Sequence, residues 1–170
     1  MSQVPVPPDG PGNTGPPTGF EGPASGQAPA ERAGFWRRFG AALIDGILVG
    51  IVAGIASSIL GTDMYQPSAQ QSGVQLILGI AYYVYFHGSP SGQTIGKKLL
   101  GIRVVGANDG ASIGYGSAAL RYVGSILSAI PCGLGYLWML WDSNKQTWHD
   151  KIASTVVVPE SAAPVAKWPG

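Results

Sequence analysis

The 170-residue chain carries 26 glycines, 14 prolines and a formal net charge of +1, with only 11% Asp, Glu, Lys and Arg. An average soluble domain holds about 25% charged residues, so these charges do not suffice to cover a soluble globule, and the near-neutral balance offers no basic footprint for nucleic acid. The single cysteine, Cys132, excludes an intramolecular disulfide framework and any multi-cysteine metal site.

Residues 1–30 hold eight prolines and six glycines, with Asp9 and Glu21 as the only charges and Phe20 as the only aromatic. Such a stretch buries too little apolar surface to offset the entropy of ordering, and it reads as a disordered tail. A basic start followed by an apolar run, the mark of a signal peptide, is missing from it.

Residues 39–60 are 22 residues with one charge, Asp45. A helix of that length crosses a hydrocarbon core of about 30 Å. Arg32, Arg37 and Arg38 stand just before it, with Phe35 and Trp36 as interfacial anchors. Residues 61–73 form a polar connection with no Lys or Arg. A second apolar run, residues 74–86, ends in Tyr82, Tyr83, Tyr85 and Phe86 and reads as a second span once residues 69–72 and His87 are admitted. Residues 89–112 are polar and carry Lys97, Lys98 and Arg103. The basic residues flanking both spans then lie on one side, which places the N terminus in the cytoplasm of a plasma-membrane protein.

Residues 102–105 read as a short strand, followed by the turn signal Asn108-Asp109-Gly110. Residues 113–141 form a third hydrophobic region, charged only at Arg121 and broken at Pro131-Cys132-Gly133. It fits either one kinked span or a short helical hairpin. Residues 154–158 read as a second strand. Its pairing with the first puts both on the cytoplasmic side, which favours the hairpin and a cytoplasmic C terminus. The expected fold is thus an all-α membrane protein with two spanning helices, a third hydrophobic region and a small cytoplasmic β pairing. Residues 1–33 form the tail, 34–158 the transmembrane domain and 159–170 a C-terminal tail.

A carboxylate inside a spanning helix costs up to about 2.5–3.5 kcal/mol on insertion scales, which singles out Asp45. Arg38, seven residues earlier, returns to within about 20° of the same helix face. The pair suits two groups on one polar crevice, either an ion or proton site or a structural contact between helices. Ala42, Gly46, Gly50, Gly54 and Ser58 make a small-residue ridge at four-residue spacing, which lets helix backbones approach closely. It reads as a packing face against another helix of this chain or against a second copy. Gly92-Gln93-Thr94-Ile95-Gly96-Lys97-Lys98 is not a phosphate loop: Ser91 stands where its first glycine belongs and Lys98 where its Ser/Thr belongs. Lys97 and Lys98 are instead expected near anionic lipid headgroups. His87 has no recognisable partner, and His149-Asp150 alone makes no catalytic dyad. No nucleophile elbow or zinc-binding His pair is present, so neither an enzyme, a cofactor nor a metal site is expected.

Three segments carry a resemblance. They are Arg38-Phe39-Gly40-Ala41-Ala42-Leu43-Ile44-Asp45, the run from Gly92 to Val105 that contains Gly96-Lys97-Lys98, and Gln146-Thr147-Trp148-His149-Asp150 with the residues that follow to Val158. In this order they resemble the RDD family of small bacterial membrane proteins, named for one arginine and two aspartates. The resemblance implies that Arg38 is the signature arginine and Asp45 the first aspartate, with Asp150 or Asp142 as the second. It implies a recurrent arginine at Arg121. It also implies a role in transport of ions or small solutes, with a monovalent cation as ligand, the bilayer as surroundings, and a second copy or other membrane proteins as partners. The competing role is that of an accessory or scaffold membrane protein with no transport activity.

Overall fold

The computed structural model describes residues 28–61, 68–131, 133–165 and 167–169. Most of the N-terminal tail, the middle of the connection after the first apolar run, and Cys132 lie outside the described residues. Helix α1 spans Phe35–Ile59. It begins four residues before the apolar run, so Arg37 and Arg38 belong to its first turn rather than to the approach. Its 25 residues rise about 37 Å at 1.5 Å each. Among the described residues it is the one unbroken helix both long and apolar enough to cross a membrane.

Three adjacent stripes along α1 have different fates. Ala41, Asp45, Ala53 and Ser57 are buried against the rest of the chain. Leu43, Ile47, Ile51, Ile55 and Ile59 are each more than half exposed. The small-residue ridge lies between them and is mostly open: Ala42, Gly46, Gly50 and Ser58 are exposed and Gly54 is partly covered. Among the described residues, a Cβ added at Gly46 or Gly50 would meet nothing within 4 Å beyond the helix's own neighbouring backbone. The intrachain packing face is therefore offset by one residue from the ridge.

Helix α2, Ala69–Gly88, starts where the Ser68 hydroxyl accepts from the Gln71 N–H at 3.1 Å. It is 20 residues long, enough to cross by length, but Gln70, Gln71 and Gln75 keep its first turns from matching α1 in apolarity. Helix α3, Ile95–Leu99, is capped by Thr94 and leads into β1, Ile102–Gly106. Helix α4, Gly114–Ala129, contains Arg121. The chain then turns by 112° into α5, Leu134–Leu137, which continues as a 3-10 turn over Trp138–Leu140. Gly133 supplies the left-handed residue at this break, with φ +78°. The short helix α6, Trp148–Ile152, precedes β2, Thr155–Pro159.

The β1–β2 pair is antiparallel, with Val104 opposite Val157 and Val105 opposite Val156. Alternation sends Ile102, Val104 and Val157 to one face, against Ala33 and Ala41, and Val105, Val156 and Val158 to the other, against Ala163. The expected pairing of these segments is present; β1 runs one residue past the expected 102–105, and β2 starts one residue after the expected Ser154 and takes in Pro159. Gly92 sits in the left-handed region at φ +60°, and a Cβ there would lie 2.3 Å from the Val104 carbonyl. Only glycine lets the segment after α2 lie this close to the sheet and bond it, Val104 N–H donating to the Gly92 carbonyl at 2.9 Å. Both ends of the described chain are drawn in. Ala33 N–H donates to the Val157 carbonyl at 2.9 Å. Trp168 donates from Nε1 to the Gln93 carbonyl at 3.1 Å and stacks on Phe86.

Candidate functional site

Two buried carboxylates organise the polar interior, and they do so separately. Asp45, fully buried on α1, accepts at Oδ1 from the Tyr82 hydroxyl (2.7 Å) and the Gly96 N–H (2.8 Å), and at Oδ2 from the Thr94 hydroxyl (2.6 Å). It thereby pins α1 to α2 and to the start of α3. Asp150, also fully buried, lies between two guanidiniums: Arg38 of α1 bonds its Oδ2 and Arg121 of α4 bonds its Oδ1. The Thr147 N–H adds a third bond at 3.1 Å, part of a reciprocal capping box at the start of α6. Arg121 also donates to the Thr155 hydroxyl at 2.5 Å, and Arg38 to the Lys145 carbonyl at 2.9 Å.

Burial raises the Asp150 carboxyl, but Arg121 and then Arg38 outweigh it and hold the group well below the usual carboxylate range. Burial pushes the neighbouring His149 imidazole down to about 3, opposed by Asp150 and reinforced by Arg121 and Arg38, so this histidine is neutral. Its ring nitrogens lie 3.0 and 3.1 Å from the Thr147 hydroxyl. Asp142 is placed elsewhere, in an ion pair with Lys151 at 2.5 Å.

Arg38 and Asp45 thus share no bond, although both line one cavity. It has a volume of about 540 Å³ and lies between α1, α2, α4 and α5. Arg121, Lys97, His87 and His149 also face it. His87 is 6% exposed and does have a partner: its Nε2 lies 2.9 Å from the Lys97 ammonium. Lys97 therefore turns inward rather than toward headgroups, while Lys98 is exposed and sits 4.1 Å over the Trp168 ring. Burial, reinforced by Arg121 and opposed by Asp45, lowers the Lys97 ammonium to about 7. Spacing along the chain concealed Tyr82, Thr94 and the Lys97–His87 pair. Their one local signal is Thr94 as an N-cap before Ile95, which fixes a helix start but not a carboxylate partner.

Asp45→Asn keeps Oδ1 for Tyr82 and Gly96 and turns an amide toward the Thr94 hydroxyl, which can accept. The loss is confined to charge assistance, about 1 kcal/mol on the scale of such bonds. Asp45→Leu strands all three donors and lowers the thermal midpoint in detergent several times further. Equal midpoints for the two variants would show that these bonds do not hold α1 to α3.

An arginine–aspartate–arginine cluster and a second buried aspartate, set beside an exposed apolar helix, define a membrane-type helical domain closed by a small sheet. Residues 32–154 match the model of the RDD family, and the chain belongs to that family. It is 40% identical to a proline-rich antigen homolog of Mycobacterium tuberculosis over 100 residues, covering 55% of this chain and 42% of that protein. It is 31% identical to the proline-rich antigen of Mycobacterium leprae, covering 81% and 66%. It is 30% identical to an uncharacterized membrane protein of Bacillus subtilis, YteJ, covering 75% and 81%. The chain spans less than half of the M. tuberculosis relative and under two thirds of the M. leprae one. No solved structure matches it.

Proposed function

We propose that this chain is a multi-pass protein of the bacterial plasma membrane whose interhelical cavity binds a small solute in the course of its transport. The observation that carries this reading is the cavity of about 540 Å³ framed by Arg38, Asp45 and Arg121. Its size is that of a small-molecule site, and it is lined by ionisable groups that a purely structural domain would have no need to gather around open space. The membrane setting rests on α1 and on apolar side chains left exposed on α2 and α4, among them Ile77, Ile80, Val123 and Leu127. In this reading α2 is the second span, and α4 with α5 forms a re-entrant hairpin whose irregular backbone is covered by protein. The termini and the sheet face the cytoplasm, where Lys98, Lys145 and Lys151 add positive charge.

Reconstituted vesicles test the proposal. The protein remains in the pellet after alkaline carbonate washing, and vesicles containing it take up solute faster than protein-free vesicles. Recovery in the soluble fraction would reject the membrane setting, and flux equal to that of empty vesicles would reject transport.

The open ridge on α1 favours a second reading, a protein that packs against a partner membrane protein or a second copy of itself. Since among the described residues nothing beyond the helix's own neighbouring backbone lies within 4 Å of a Cβ built at Gly50, Gly50→Leu leaves the isolated fold within about 0.5 kcal/mol of wild type. Crosslinked oligomers in native membranes should fall sharply with this variant and persist with Leu48→Ala. Equal crosslinking of both variants would remove the ridge from any interface.

A further inference from the structure

The solute class can be read from what the cavity offers, and this step rests on the proposed solute-binding role. Both carboxylates spend their oxygens on donors of this chain: Asp45 on Tyr82, Gly96 and Thr94, and Asp150 on Arg38, Arg121 and Thr147. The cations of Arg38, Lys97 and Arg121 also face the space, against Asp45 on the wall and Asp150 behind the arginines. The count is three positive and two negative groups, an excess of one positive charge when the histidines are neutral. Lys97 is the unusual member. Its partner among the described residues is the neutral acceptor His87 of α2 at 2.9 Å, while each arginine has a carboxylate partner. Away from this cluster the wall is apolar and aromatic, formed by Phe35, Phe39, Tyr122, Leu137 and Met139. Phe39 is 53% exposed while also lining the cavity, so the wall opens sideways onto the apolar surface of the helices.

The geometry points to a binding site for a single-chain amphiphile with an anionic oxyanion head, the head bonded by Lys97 beside Arg38 and Arg121 and the tail laid along the aromatic wall toward Phe39. A free inorganic anion would leave that wall empty. A cation would meet the wrong charge. A neutral amphiphile would leave the Lys97 ammonium with no anionic hydrogen-bond partner. The depressed basicity of Lys97 in the empty site agrees with this, because an arriving anion supplies the stabilisation that the ammonium lacks.

The test uses the full chain in nanodiscs of zwitterionic phosphatidylcholine, with empty nanodiscs subtracted. Decyl phosphate, decanoate, decyltrimethylammonium and decanol are titrated, with inorganic phosphate as the tail-free arm. Decyl phosphate and decanoate should bind saturably, at least tenfold more tightly than decanol or decyltrimethylammonium, and inorganic phosphate should bind at least tenfold more weakly than decyl phosphate. A preference between the two anionic heads tells a phosphate-headed lipid from a fatty acid. Lys97→Gln keeps a donor for His87 but removes the charge. It should weaken both anionic amphiphiles at least tenfold, leave decanol unchanged, and hold the thermal midpoint at or above wild type. Ala42→Phe fills the cavity from α1 and should abolish anionic binding without changing charge. Equal binding of anionic and neutral probes, tighter binding of the cation, or wild-type affinity in Lys97→Gln would overturn the anionic assignment while the solute-binding role stands. Unchanged binding in Ala42→Phe would place the amphiphile outside the cavity and overturn the site. If no probe binds saturably, the assignment fails, and the vesicle flux measurement decides the role itself.

Discussion

Asp150→Ala should prevent the protein from accumulating in folded form. The substitution leaves the Arg38 and Arg121 guanidiniums against each other, Arg121 being 4% exposed, with no counter-charge. Removing one partner of a buried ion cluster costs about 3–5 kcal/mol, a large share of the roughly 5–15 kcal/mol that holds an ordinary domain together. The same change unseats the capping box at Thr147 and with it the start of α6. The readout is the yield of monodisperse protein in mild detergent and its thermal midpoint. Asp142→Asn is the control, since its ion pair uses Lys151, whose side chain is 45% exposed. That pair is worth at most about 1 kcal/mol. Comparable losses in the two variants would mean that the cluster is not what joins α1, α4 and α6. The acid limb follows from the same cluster. The folded value of Asp150 lies below the unfolded one of about 3.9, so its contribution is complete above that pH and is lost as pH falls toward the folded value. Wild type should therefore weaken progressively below about pH 4.

Gly96→Ala should be the most damaging single-methyl addition to α3. The new Cβ would stand 2.3 Å from the Ala41 carbonyl and 2.8 Å from Asp45 Oδ1. Neither neighbour is a flexible chain end: one is α1 backbone and the other a carboxylate fixed by three donors. Relief requires α3 to move off α1, which lengthens the Gly96 N–H bond to Asp45. Overpacking costs about 1–3 kcal/mol, and a weakened bond to a charged acceptor adds about 1.5–3 kcal/mol. The expected result is a fall in thermal midpoint far exceeding that of Gly34→Ala, where a Cβ meets no described residue within 4 Å beyond its chain neighbours. If both variants melt together, α1 and α3 are not in register as described.

The sequence disclosed most where one residue type leaves few alternatives. Runs of Val and Ile bounded by Asn108-Asp109-Gly110 and by Pro159 specify short strands, and the structure places Gly110 at φ +67° with its N–H on the Gly106 carbonyl. Twenty-two nearly uncharged residues specify α1, although the helix takes in its basic flank as well. The hydrogen bonds of Asp45 were not legible, because Tyr82 and Thr94 lie 37 and 49 residues away and carry no local mark of a carboxylate partner. The face of α1 used for packing was not legible for a different reason. Small residues occupy two neighbouring stripes, and nothing local distinguishes Ala41, Ala53 and Ser57 from Ala42, Gly54 and Ser58. Arg38, Arg121 and Asp150 were grouped through family resemblance. Their direct contact depends on the sheet that brings β2 back to β1, which the β-branched runs did foreshadow.

The Arg38–Asp150 pair spans 112 residues of sequence. At about 5–20 residues per second, the ribosome needs roughly 6–20 s to supply the aspartate after the arginine has emerged. Throughout that interval α1 is already made while the carboxylate that pairs with its Arg38 in the folded chain is not. A ribosome stalled before Asp150 would leave Arg38 and Arg121 without their shared carboxylate, an unlatched intermediate open to quality-control proteases until α6 is made.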